Sequence, residues 1–450
     1  MDFESLARNY LELAQQVVEK ATRKGALAEA FISTGENLDI EVREQEVEVL
    51  TLAQERGLGL RILLDGRVGF AYTTDFSASA LEETIEQALA NARRATPDEY
   101  NCLPGAQEYP CLDLFDPEIE ARPLTYKIEL AKEMERQARA FDPRVKITES
   151  CSYFDRRYVI ALANSQGVAA SYQGAYCGAS IFVVATDGEE SQTGFGLATS
   201  LKLRELDPAK IGREGALRAV RLLGAKRVNT QRAPVIFDPY VMASFLRVIA
   251  PALAADSAQK GKSLFRGKVG QRVASPVVHI IDDGRMPGGV ASAPFDGEGV
   301  ATERTVLVEE GILRGFLHNT YTAAKEGVRS TGNGARGSFK STPEVGTTNF
   351  YLAAGQSSPE KLIKEVSRGL YVTDVLGMHT ANPISGDFSV GVVGMWIEGG
   401  EFKAPVRGVA IAGNLINLLN SIEAVGSDLT FYGSTGAPTV RISNMTISGM

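Results

Sequence analysis

The sequence predicts an α+β architecture: two helix-sheet-helix units, then a larger domain of antiparallel sheet with helices packed on it. Three observations carry that prediction. An amphipathic helix, a set of extended segments and a second helix follow one another twice before residue 230. Beyond Ala233 the composition shifts toward Gly, Thr, Val and Asn, in strand-like runs bounded by turn residues. The 450 residues also exceed the usual size of one domain. The boundaries read from these shifts are 1–115, 116–230 and 231–450.

In chain order, residues 3–24 place Leu6, Tyr10, Leu13, Val17 and Val18 on one helical face, with Gly25 as C-cap. Extended segments follow at Ala28–Thr34, Leu38–Arg43, Gly59–Leu64 and Arg67–Thr73, the last two joined by an Asp65-Gly66 hairpin turn. Ser77 and Ser79 are N-cap residues for a helix reaching about Arg94, and 96–123 reads as a linker. The order then repeats. A helix at Leu124–Phe141 precedes strands Val145–Phe154, Tyr158–Asn164, Val168–Gln173 and Ala179–Ala185, and Gly194–Thr199 precedes a helix at Pro208–Leu223. Gly69-Phe70 and Gly194-Phe195 occupy matching places, so the two units are expected to be diverged copies, with chance similarity as the alternative.

The last domain opens on Phe237–Gly270, FDPYVMASFLRVIAPALAADSAQKGKSLFRGKVG. Asp238-Pro239 starts a helix with Val241, Met242, Phe245, Leu246, Ile249 and Leu253 at helical spacing. Strands are expected at Pro276–Ile281, Arg304–Glu309, Ile312–Leu317, Asn349–Ala353, Tyr371–Leu376, Phe388–Glu398, Phe402–Pro405 and Thr439–Ile442. Short helices are expected near Thr322–Lys325, Pro359–Val366 and Ala412–Leu419.

Composition narrows the function classes. Hydrophobic residues make up 44% and charged residues 23%, as in soluble proteins with sizeable cores. A net charge of -8 argues against direct nucleic-acid binding. Cys102, Cys111, Cys151 and Cys177 show no CxxC spacing, hence no zinc ribbon or disulfide framework. The acidic, amphipathic start is unlike a signal peptide, and no apolar run is long enough to span a bilayer. A cytoplasmic protein without membrane contact is expected.

Residues with chemical potential are sparse. His279, His318 and His379 stand far apart and outside any HExxH or HxH pattern; isolated histidines are mostly structural. No GxSxG elbow or Walker A pattern is present. Ser389 is a conceivable nucleophile but sits in strand alternation between Phe388 and Val390. The loop Gly332–Gly337 has amides that can cup an anion, helped by Arg336, or simply needs several positive φ angles. Gly386-Asp387 after Asn382-Pro383 reads as an open turn. These residues alone identify no reaction.

Three longer segments do more. FDGEGVATERTVLVEEGILRGFLHNTYTAAKEGVRSTGNGAR (Phe295–Arg336), NPISGDFSVGVVGMWIEGGE (Asn382–Glu401) and VRGVAIAGNLINLLNSIEAVGSDL (Val406–Leu429) resemble the TldD/PmbA family, once called modulators of DNA gyrase. The resemblance begins at GLGLRILLDGRVGFAYTTD and covers essentially the whole chain. In that family the TldD-type subunit carries an HExxxH helix, a K-G-x-S loop and a C-terminal cysteine. Here the loop is kept as Lys260-Gly261-Lys262-Ser263. Counting back puts the two histidine positions on Leu246 and Pro251 and the glutamate position on Arg247. No Cys follows Cys177, and no His lies between Tyr158 and Val278. Pro251, if it interrupts that helix, costs about 3 kcal/mol or more.

The sequence therefore resembles the other branch, PmbA or TldE. This implies a noncatalytic subunit with no metal or cofactor of its own. Its partner would be a TldD-like, HExxxH-bearing subunit holding zinc, and the pair would be a heterodimeric metallopeptidase acting on unfolded peptides. Chamber residues expected to meet peptide are His318, Asn319, Tyr321, Asn333, Arg336, Asn382, Ser385 and Asp387. Two other readings stay open. One is a self-associating hydrolase with an unrecognised site at Ser389 or the histidines; the other is a non-enzymatic peptide-binding regulator.

Overall fold

The computed structural model describes residues 3–449. Helix α1 (Phe3–Arg23) buries the stripe Ala7, Tyr10, Ala14, Val17, Val18 and Ala21, and ends at Gly25 with φ +86°. Strands β1 (Leu27–Arg43), β2 (Glu46–Leu64) and β3 (Arg67–Thr73) form a meander. Helix α2 (Ala78–Arg94) closes the unit, capped by Ser77. A short α3 (Pro117–Ala121) interrupts the expected linker. Then α4 (Leu124–Phe141), β4 (Val145–Asn164), β5 (Ala169–Asp187), β6 (Glu190–Ser200) and α5 (Pro208–Val220) repeat the order.

The two units build one antiparallel sheet, β3-β2-β1-β4-β5-β6, with β1 paired to β4 from Glu29↔Asn164 to Glu41↔Ser152. That order is symmetric about the β1–β4 seam, which supports two diverged copies. The glycine-phenylalanine match has a physical reason too. A Cβ at Gly69 would strike the Ala88 carbonyl of α2, and one at Gly194 the Gly215 carbonyl of α5. Each outer strand carries glycine where its helix crosses closest. The breaks expected near residues 35–37 and 155–157 do not occur. The polar residues there are satisfied on both faces while the ladder continues: Arg156 bonds Asp39 on the helix-free side, and Asp155 accepts from Lys127 of α4 on the other.

All four long helices lie on one face of this sheet. α1 and α2 cover Ala28, Ala30, Ile32, Val159 and Ala161. α4 and α5 cover Leu38, Ile40, Tyr153, Cys177 and Ile181, whose positions share the same strand parity. The opposite face turns toward the last domain.

That domain contains β7 (Gln231–Phe237), α6 (Pro239–Ile249), α7 (Ala255–Gln259), β8 (Ile280–Asp283), β9 (Arg304–Glu309), β10 (Ile312–Leu313) and α8 (Thr320–Glu326). There follow β11 (Gly334–Ala335), β12 (Glu344–Val345), β13 (Asn349–Leu352), α9 (Pro359–Lys364), β14 (Arg368–Leu376), β15 (Asp387–Glu398) and β16 (Glu401–Asn414). It ends with α10 (Leu415–Asn420), β17 (Ile422–Val425), β18 (Thr430–Tyr432), β19 (Thr435–Ala437) and β20 (Val440–Ser448). One sheet runs β16-β15-β14-β7-β20-β17, with β16 also touching β20 so that the sheet curls back on itself. A second runs β10-β9-β8-β13-β19-β18, and β11 and β12 form a separate two-stranded pair. Pairing is antiparallel except at β14–β7 and β13–β19. The helix predicted from Ala412 starts at Leu415, because Ala412 still pairs with both Ser389 and Thr446.

Helix α6 lies between these sheets, against β7 and β14 on one side and β13, β18 and β19 on the other. All its residues are buried except Tyr240, Arg247 and Val248. The α-helix stops at Ile249, and Pro251 sits in a 3₁₀ turn, Ala250–Leu253. The expected cost of a mid-helix proline is therefore not incurred. Among the described residues no helix is long and apolar enough to cross a membrane.

Candidate functional site

Two places gather the predicted residues. The first surrounds the end of α6. Leu246 is fully buried in the core. Arg247 points outward, its Nη2 donating to the Tyr432 carbonyl at 3.0 Å and its Nη1 to Ser244 Oγ at 3.5 Å. Ser263 Oγ donates to the Ala252 carbonyl at 2.5 Å and accepts from the Phe265 amide at 3.0 Å, folding the Lys260–Ser263 loop back onto the 3₁₀ turn. Against Leu264 lies the turn at Gly386, whose φ is +81°. Asn382 Oδ1 accepts from the Ile384 and Ser385 amides at 2.8 and 3.1 Å, and Ser385 Oγ from the Asp387 amide at 3.3 Å. Asn414 donates to Asp387 at 3.0 Å, and these hydrogen bonds hold the Asp387 carboxyl below its usual range. Asn382, Ser385 and Asp387 thus share one exposed, self-bonded turn.

The second place is around α8. Asn319 caps that helix, its Oδ1 accepting from the Thr322 amide at 2.9 Å in a capping box. Asn319→Ala should lower stability by about 1 kcal/mol, read as a shift in the urea midpoint. His318 is buried, with Nε2 3.6 Å from Glu326, and burial lowers its pKa. Tyr321 donates to Asp98 at 2.9 Å, tying α8 to the linker. Asn333 donates to Asp282 at 2.8 Å and to the Gly346 carbonyl at 2.9 Å. Asp282, whose pKa burial raises, also accepts from Thr348.

Asn333 and Arg336 border a cavity of about 290 Å³ between the first sheet and the last domain, with Phe31, Tyr172, Phe295 and Asp296. Arg336 belongs to a buried charge cluster. It pairs with Glu29 and donates to the Gly297 and Ser341 carbonyls, both at 2.7 Å. Arg61 grips Glu29 with Nε and Nη2 at 3.1 and 2.7 Å and reaches Glu298 at 3.0 Å. Glu298 in turn accepts from the Thr320 amide at the start of α8, at 2.7 Å. Asp296 accepts three backbone amides, yet burial and the Glu298 charge push its pKa up to about 7. With a proton on Asp296, two guanidinium groups balance two carboxylates.

Sequence reasoning missed Glu29, Arg61, Asp296 and Glu298. A signal existed at Glu29 and Arg61: each is a lone charge in an otherwise apolar strand run, AEAFI and GLRILL. Ser389 is exposed, and no histidine hydrogen-bonds to its side chain among the described residues. Nor, among those residues, does any group of three or more His, Cys, Asp or Glu stand ready to hold a metal ion.

Profiles of three successive PmbA/TldA metallopeptidase domains match residues 28–92, 117–223 and 230–449. The chain belongs to the PmbA/TldD metallopeptidase family. Metalloprotease PmbA of Escherichia coli O157:H7 is 30% identical over 97% of this chain and 96% of its own length. A metalloprotease TldD homologue of Haemophilus influenzae is 28% identical over 88% and 87%. The crystal structure of a candidate DNA gyrase modulator from Thermotoga maritima superposes with a TM-score of 0.91 at 29% identity, over 98% of this chain and 100% of that one. TldE from Thermococcus kodakarensis shares the fold, with a TM-score of 0.91 at 24% identity over 97% and 100%. Leu246, Arg247 and Pro251, the positions that the resemblance aligns with HExxxH, do not fit a zinc site. Leucine and proline side chains have no donor atom, and a guanidinium is neither ligand nor base near neutral pH.

Proposed function

We propose that this chain is the subunit without a metal site in a two-subunit metallopeptidase of the PmbA/TldD family. Its partner is an HExxxH-bearing homologue that holds zinc, and the complex cleaves unfolded peptides in the cytoplasm. The observation that carries this reading is the filling of α6: Leu246 is spent on core packing, Arg247 on the Tyr432 carbonyl, and Pro251 lies beyond the helix. The kept Lys260–Ser263 loop and the exposed turn beside it support a surviving surface role next to a lost site. On this reading Asn382, Ser385 and Asp387 face the peptide, while His318, Asn319, Tyr321, Asn333 and Arg336 hold the neighbouring wall in shape.

The test is zinc content and peptide cleavage for this chain alone and co-purified with an HExxxH-bearing homologue from the same genome. Zinc and cleavage are expected only in the mixed complex. Metal or cleavage in the isolated chain would overturn the reading and move the search to Ser389 and the histidines. Alanine at Asn382, Ser385 and Asp387 together should lower cleavage several-fold while the complex still elutes as one species.

A further inference from the structure

On the sheet face away from the helices, four rings form a row. Tyr172 and Tyr176 stand on β5, and Tyr158 and Phe154 on the neighbouring β4, opposite Gly174 and Gly178. Those glycines matter. A Cβ at Gly174 would collide with the Tyr158 ring, and one at Gly178 with the Phe154 ring. Both β4 rings therefore recline across β5, and the row follows that strand at positions 172, 174, 176 and 178. Successive centroids, Tyr172 to Tyr158 to Tyr176 to Phe154, are 6.1, 6.5 and 6.3 Å apart. An extended chain repeats its same-side residues every ~6.6 Å, twice the strand rise.

The row is half-buried along its length. Burial raises the hydroxyl pKa of Tyr172 and pushes that of Tyr158 up to about 12. At one end Tyr172 packs edge-on against Phe295, centroids 5.0 Å apart, beside the cavity that Arg336 borders. At the other end Arg156 covers Phe154 at 5.3 Å.

We infer that this row is a docking track for an extended, unfolded peptide with aromatic or large apolar side chains at every second position. Each such side chain meets one ring edge-on or offset, the arrangement that aromatic pairs favour. The backbone lies over β5, and intervening residues point to solvent, so recognition reads spacing more than identity. The ligand class rests on the peptidase reading above; the spacing preference goes beyond it.

The experiment uses the whole chain, without its partner, and two short fluorescein-labelled peptides of identical composition. One carries phenylalanine at alternate positions between Thr and Lys; the other carries its phenylalanines consecutively. Fluorescence anisotropy should show the alternating peptide binding about tenfold more tightly. Tyr176→Ala and Gly174→Val should each erase that preference, the second by pushing the Tyr158 ring out of line. Tyr176→Phe should keep it. Equal affinity for the two peptides overturns the inference, and this comparison needs no variant to fold. So does a result in which Tyr176→Ala changes the sedimentation coefficient and leaves peptide affinity alone, which would make the row a contact between copies of the chain. Failure of the peptidase reading shows differently: no cleavage in the mixed complex, with the spacing preference intact.

Discussion

Glu29→Gln is expected to destabilise the protein by about 3–5 kcal/mol, among the largest effects available to a single substitution here. Glu29 is fully buried and holds Arg61 through two hydrogen bonds and Arg336 through an ion pair. The amide keeps the shape and removes the charge, leaving two guanidinium groups with less than the negative charge they need. Burial means that salt screens this loss poorly. A compensating experiment separates charge from packing. Replacing Glu29 and Arg336 together by apolar residues of similar volume, which leaves Arg61 balanced by Glu298, should recover much of the loss, since a buried pair often costs as much to desolvate as it returns. Urea unfolding of the two variants checks both statements. A Glu29→Gln midpoint equal to that of the unmodified chain would mean that the cluster is wet.

Phe339→Ala should cost a similar amount, about 3–5 kcal/mol. Phe339 comes from the loop after β11 and reaches across to the first sheet, where it is 1% exposed. Its ring lies on Gly57 and its carbonyl on Gly59, with Tyr72 edge-on at 6.1 Å. Gly57, beneath the ring, has no side chain to fill the void. Because Phe339 and Arg336 pin the last domain to β1 and β2, the variant should also split thermal unfolding into two steps. A single transition with an unchanged midpoint would contradict this.

Local chemistry was legible in the sequence, and distant pairing was not. Asp65-Gly66 does form a tight turn with positive φ at both residues, because that preference belongs to the dipeptide. Asp238-Pro239 starts α6 as read, and its apolar positions are buried. The β1–β4 seam left no such mark, since each strand's pattern is satisfied by any apolar neighbour. Strands β11, β12, β18 and β19 are two or three residues long, below what periodicity can register. At the site, polar residues in turns could be picked out, but their duties could not. Asn319 and Asn382 look alike in sequence; one is buried and caps a helix, and the other sits in an exposed turn. The charge cluster draws on residues 29, 61, 296, 298 and 336, and the aromatic row depends on two glycines one strand away. Only the folded register brings either together.

The seam between β1 and β4 also sets a timetable for synthesis. When β1 leaves the ribosome its second edge has no partner until Asn164 appears, about 120 residues later. At about 5–20 residues per second, that edge waits roughly 6–24 s. The first unit is thus a half-sheet on loan to whatever binds open strands. The nascent chain should depend on a holding chaperone through that interval, and a pause in translation before residue 164 should cost soluble yield more than one placed after it.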